Sequence, residues 1–209
     1  MQITQEIAAK VLAIVDKGLS SGLGIRKPGE FCVEAAVCYA LDLPHGDNPG
    51  CVAHSLRLLK ISLNDRVWSS NAARANGLRR LAVAQLGSLG HLDETEFRKR
   101  IVDLAIRKSV PSALRSAASV CKNEKHKAAL CKAANRCEKE GTRQAAINAR
   151  TVAMVAGAAA DAANSAAALV ADAAAARDKS LADYAECVVQ ILIEMKAPGC
   201  QWLPLTEAA

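Results

Sequence analysis

AAINARTVAMVAGAAADAANSAAALVADAAAA, residues 145–176, is the stretch whose reading decides the fold. Eighteen of its 32 residues are alanine, which loses no side-chain entropy on ordering and has the best intrinsic helix propensity. Thr142, just after Gly141, suits an N-cap, and Pro198-Gly199 is a firm stop because proline cannot continue the helical ladder. Between them stands one glycine, Gly157, and no proline. The pattern predicts one very long helix over 142–196, or two nearly continuous ones. Arg150, Asp161, Asp172 and Asp183 recur every 11 residues, with Asn164 and Ser165 beside them; that period keeps a polar stripe on one side of an almost straight rod. Ile147, Met154, Val155, Leu181, Val188 and Ile191 fall on the other side. The acids inside the run exclude a membrane span. A smooth, small-residue surface of this kind suits a central packing helix, and equally a homodimer contact through the Ala-rich helix.

Outward from this tract, the chain reads as all-α: an N-terminal helical bundle packed with a long Ala-rich C-terminal helix. Aromatics make up 3% of the 209 residues and apolar residues 51%, a composition for aliphatic helix packing rather than for β-sandwich strands. Helices are expected over about 4–17, 30–41, 51–61 and 71–86. A capping box at Asp93-Glu94-Thr95-Glu96 opens another. Pro111 is expected to separate that helix from a polar, lysine-rich helical stretch over 112–140, the part of the chain with the thinnest core. The expected division is 1–90 for the bundle and 91–209 for the basic segment, alanine helix and tail.

Charge is unevenly placed. Residues 1–97 hold ten Lys/Arg and ten Asp/Glu, residues 98–150 fourteen against four, and residues 151–209 three against seven, which gives the net +6. A basic middle is a landing surface for an anionic partner. Arg98, Arg100 and Arg107 fall opposite Phe97, Ile101 and Leu104 on their helix and are the expected partner-binding residues. Trp202, in the tail Trp202-Leu203-Pro204-Leu205, is the fourth. Phe97 is the one aromatic beside the basic stretch, so base stacking is poorly served.

Three clusters could carry chemistry. Asn64, Asp65 and Trp68, followed by Ser69, Ser70 and Asn71, form a polar group that suits either helix capping under a tryptophan lid or a small ligand pocket. Cys32 near a helix start could be a nucleophile with His45 or His54 as base and Asn64 or Asp65 to orient it. Two Cys/His sets, Cys32-Cys38-His45-Cys51-His54 and Cys121-His126-Cys131-Cys137, lack knuckle spacing, so core thiols are expected rather than zinc. The glycines of 18–29 lack the strand and the Lys-Ser/Thr of a phosphate loop. No cofactor is implied. The N-terminus shows no signal-peptide pattern, and the cysteines suit reduced thiols, so a cytoplasmic setting is expected.

The Pro28-Gly29 turn, the Cys32–Ala36 helix start, the Asn64-Asp65 pair and the helix after it together resemble, in layout, small uncharacterised proteins of phages and bacteria that carry Ala-rich C-terminal helices. The resemblance covers residues 28–87. It implies a phage or prophage accessory factor, one that binds and blocks a host defence protein. The expected function is that of a non-enzymatic binding protein whose partner is a protein or a protein–nucleic-acid complex. A nucleic-acid or nucleotide binder and a cysteine-dependent enzyme are the alternatives.

Overall fold

The computed structural model describes residues 2–160 and 169–207, with side chains outside 158–173. The described residues are helical, without a strand; a single antiparallel bridge joins Gly24 and Phe31. The helices are α1 (Gln5–Val15), α2 (Val33–Ala40), α3 (His54–Asn64), α4 (Asn71–Ala84), α5 (Glu94–Leu104), α6 (Val110–Val120), α7 (Glu124–Glu140), α8 (Arg143–Ala160) and α9 (Leu169–Glu194). A π turn over Ala105–Ser109 links α5 to α6, and a 3₁₀ segment, Pro198–Thr206, follows α9. No helix among the described residues is long and apolar enough to cross a membrane.

The chain divides into two compact units, residues 1–97 with 169–209, and residues 98–168. This differs from the expected cut near residue 90. The C-terminal helix belongs with the N-terminal bundle, and the basic segment stands as its own unit. The reason is local to α4 and α9. Gly77 brings their backbones close enough that an added Cβ would lie 3.3 Å from the Ala182 methyl. The Arg80 guanidinium reaches Glu186 at 3.0 Å. Asp178 accepts from the backbone N–H (2.9 Å) and the hydroxyl of Ser69, and these bonds hold its carboxyl below the usual range. The core of this unit gathers Val11 and Val15, Val37, Leu56, Leu78 and Leu81, Val188 and Leu192.

In the second unit α6, α7 and α8 enclose a small core of Ile106, Leu114, Ala118, Leu130, Ala134, Cys137, Ala145, Ala149 and Ala156. The 112–140 stretch is therefore better cored than its composition suggested. Pro111 does not separate two helices. It sits in the first turn of α6 within an unbroken helical run, and the wider hydrogen-bond step of the π turn just before it accommodates the proline ring and its missing N–H. Gly141 ends α7 in the left-handed conformation at φ 62°, which glycine adopts without strain. The middle of the alanine tract, including Asp161, Asn164 and Ser165, lies outside the described residues, as does the expected continuity of α8 and α9.

Candidate functional site

Cys32 is not inside the first turn of α2 but is its N-cap, in extended conformation, with Sγ accepting from the Ala35 N–H at 3.3 Å. The helix starts late because the preceding residues are tied up: Phe31 is bridged to Gly24, where φ is +71° and a Cβ would strike the Glu30 carbonyl at 1.9 Å. Helix α3 likewise starts and ends later than expected, which carries Asn64 into its last turn. There Asn64 staples three segments. Its Oδ1 accepts from the Val33 N–H (3.2 Å), its Nδ2 donates to the Ser20 carbonyl (2.9 Å), and its own carbonyl accepts from Arg74 Nε (2.8 Å). Asp65 Oδ1 accepts from the Gly22 N–H at 2.9 Å and from Asn64 Nδ2 at 3.0 Å. Buried Arg74 also donates to the Leu19 carbonyl and to Asn71. These bonds pin the glycine-rich loop to the bundle.

Asn64 and Asp65 do share a cavity, with Gly22, Cys32, Asp47 and Ile61, but its volume is about 80 Å³. Drug-sized ligands occupy roughly 300–1,000 Å³; this space holds a few waters. Trp68 lies elsewhere. Its Nε1 donates to the Leu63 carbonyl at 3.0 Å, and its ring covers Gly77, where a Cβ would come within 2.4 Å of it. Trp68 is a lid on the core, and Ser70 caps α4 through the Ala73 N–H at 3.0 Å.

Sequence reasoning missed the most unusual feature of this unit. Glu34 of α2 and Lys60 of α3 are both fully buried, 3.3 Å apart. Burial pushes the Glu34 carboxyl up and the Lys60 ammonium down, and each partner's charge opposes the shift. Cys32 and Cys51 lie in the electrostatic reach of this pair. Burial raises both thiols, and raises Cys38 and Cys200 to about 11. A thiol so raised is protonated near neutrality, whereas nucleophilic attack needs the thiolate. His45 Nε2 lies 3.1 Å from the Gly24 carbonyl and so donates there. Among the described residues, no three His, Cys, Asp or Glu side chains converge as metal ligands.

The second unit puts its charge outside. Its acids among the described residues pair locally: Asp103 with Arg107 (2.7 Å), Glu138 with Arg115 (2.5 Å), Glu140 with Arg136 (2.7 Å), and Glu124 with Lys127 (3.5 Å). Arg107, expected to face a partner, is half-buried. Besides Asp103 it donates to the carbonyls of Glu138 (2.7 Å), Lys139 (3.2 Å) and Glu140 (3.3 Å). It caps the C-terminus of α7, where a cation meets the negative end of the helix dipole. Arg98 is exposed and Arg100 half-buried on α5. Lys122, Lys125, Lys132, Arg143 and Arg150 are exposed on α7, α8 and the turn before α7. Trp202 lies in the 3₁₀ segment of the first unit, half-buried beside an open groove of about 510 Å³ that also touches Ile3, Gly87, His91 and Pro198. Its indole Nε1 is buried and meets no acceptor among the described residues.

Comparison with known proteins returns nothing: no protein-family model, no curated protein and no solved structure matches this chain.

Proposed function

We propose that this is a non-enzymatic binding protein that docks an acidic protein surface with its 98–168 unit. The observation that carries the reading is the outer surface of α8. There Ile147 and Met154, expected opposite the polar stripe, instead stand exposed on the same face as exposed Arg143 and Arg150, with Val155 exposed further round the helix, on a unit with fourteen Lys/Arg against five Asp/Glu. A surface that is both cationic and apolar suits a protein partner. Nucleic acid would use the cations but not the aliphatic groups, and residues 98–168 contain no Phe, Trp or Tyr for stacking on bases. The enzyme alternative finds no support in raised, buried thiols and a cavity of about 80 Å³. The thiols suit a reducing compartment, so we assign the protein to the cytoplasm. The phage-like layout suits an accessory factor that occupies and blocks a host protein.

The test is affinity capture from host lysate with wild type and Lys125→Glu/Lys132→Glu. The reading expects a protein retained by wild type, resistant to nuclease, and lost with the variant or in about 0.5 M salt, where screening acts within a few ångströms. Retention that nuclease abolishes would replace the protein partner by nucleic acid.

A further inference from the structure

We propose that the outward face of α8 is a track for an acidic amphipathic helix of the partner. The inference rests on the docking role of the 98–168 unit and adds which element docks and what it meets.

Helix α8 is amphipathic in reverse. It turns alanines, Ala145, Ala149 and Ala156, into its own core, and leaves Ile147 47%, Met154 63% and Val155 57% exposed. A helix folding only for itself buries its large apolar groups and exposes its alanines. The outward residues Arg143, Ile147, Arg150, Met154 and Gly157 are spaced 4, 3, 4 and 3. That is the seam along which a second helix lies at a shallow angle, with knobs entering holes. At Gly157 an added Cβ would meet nothing within 4 Å, so the approaching backbone has room there.

Charge selects the occupant. The seam holds Arg143 and Arg150 themselves. A second copy lying along it would set arginine against arginine and one cationic unit against another, and like charges across an interface are disfavoured. The fitting occupant carries Glu or Asp opposite the two arginines and aliphatic side chains opposite Ile147 and Met154.

The experiment uses the full chain and three fluorescent probes read by anisotropy. The first is a synthetic acidic peptide whose heptad seam alternates Glu and Leu, so that Glu falls opposite Arg143 and Arg150 and Leu opposite Ile147 and Met154. The second is a permuted peptide of the same composition, and the third a DNA duplex. The first should bind at least about tenfold more tightly than the second, a difference of about 1.4 kcal/mol. Ile147→Ser/Met154→Ser, changes at exposed positions, should bring it down to the permuted level with an unchanged thermal melt. Equal binding of the two peptides would overturn the track while leaving a basic docking surface in place. Tighter binding of the duplex than of either peptide would overturn the protein-docking reading and the track with it. Self-association of the wild-type chain in sedimentation, abolished by the serine variant, would make the occupant a second copy and overturn the acidic helix.

Discussion

The two units handle charge in opposite ways. The first, residues 1–97 and 169–209, has thirteen Lys/Arg against sixteen Asp/Glu, and spends several of them inside: Glu34 and Lys60 are fully buried, and Arg74 is 6% exposed. The second has fourteen against five, and those of its charged residues that are described stay outside an alanine-rich core. Interior charges hold a fold in register at a cost in desolvation. Exterior charges contribute little to stability but set up a field that steers partners. The comparison teaches that the first unit sets a few ionic groups inside an apolar core, while the second keeps its described charges on its surface.

The sharpest way to break this comparison is at the buried pair. Lys60→Met strands the Glu34 carboxyl and should cost about 3–5 kcal/mol in urea unfolding, whereas Glu34→Leu/Lys60→Met should recover most of that loss. A double variant no more stable than the single one would mean the two groups are not coupled. The single variant also has a signed pH dependence. With its carboxyl raised by burial, folded Lys60→Met holds a proton above pH 4.5 that the unfolded chain has released. Its stability therefore falls as pH rises from 4.5 towards the folded-state value, and mild acid partly rescues it.

Next in size is Gly77→Ala, which drives a methyl into the Trp68 ring and should cost about 1–3 kcal/mol by overpacking; a thermal melt decides it. In the second unit, Arg107→Ala removes the cap on α7 and should cost about 1–2 kcal/mol, since hydrogen bonds to a charged group lie near that range and this one is only half-buried. Arg143→Glu/Arg150→Glu, at exposed positions, should change stability by less than about 0.5 kcal/mol per site. If the Arg107 and Arg143/Arg150 variants melted alike, the distinction between structural and presented arginines would fail.

The helical class, α1, α4 and the Asp93 N-cap of α5 were legible in the sequence, because Thr4, Ser70 and Asp93 announce helix starts and the apolar spacing follows. The excess charge of 98–150 was legible too. What the sequence hid is tertiary. Nothing near Glu34 or Lys60 distinguishes them from solvated residues on amphipathic helices, and their meeting depends on how α2 packs on α3. The grouping of α9 with α4 turns on Gly77 and Trp68, a fit of shape rather than of pattern. Arg107 looked like an exposed face residue on a helical wheel, and only the return of α7 past the π turn brings carbonyls to it. Asn64 and Asp65 were singled out as a dense polar pair, and their partners are the loop backbone at Ser20 and Gly22, the first N–H of α2 and the Arg74 side chain.

The central claim is that the surface of the second unit, rather than charge in general, does the docking. It is tested most directly by association rates of the acidic heptad peptide at low salt. Wild type is compared with Arg143→Glu/Arg150→Glu and with Lys17→Glu/Arg66→Glu, an equal change of charge at exposed positions of the first unit. The account predicts at least about a tenfold slowing for the α8 variant and less than about twofold for the control, with the gap closing as salt is raised. Equal slowing in both variants would contradict it.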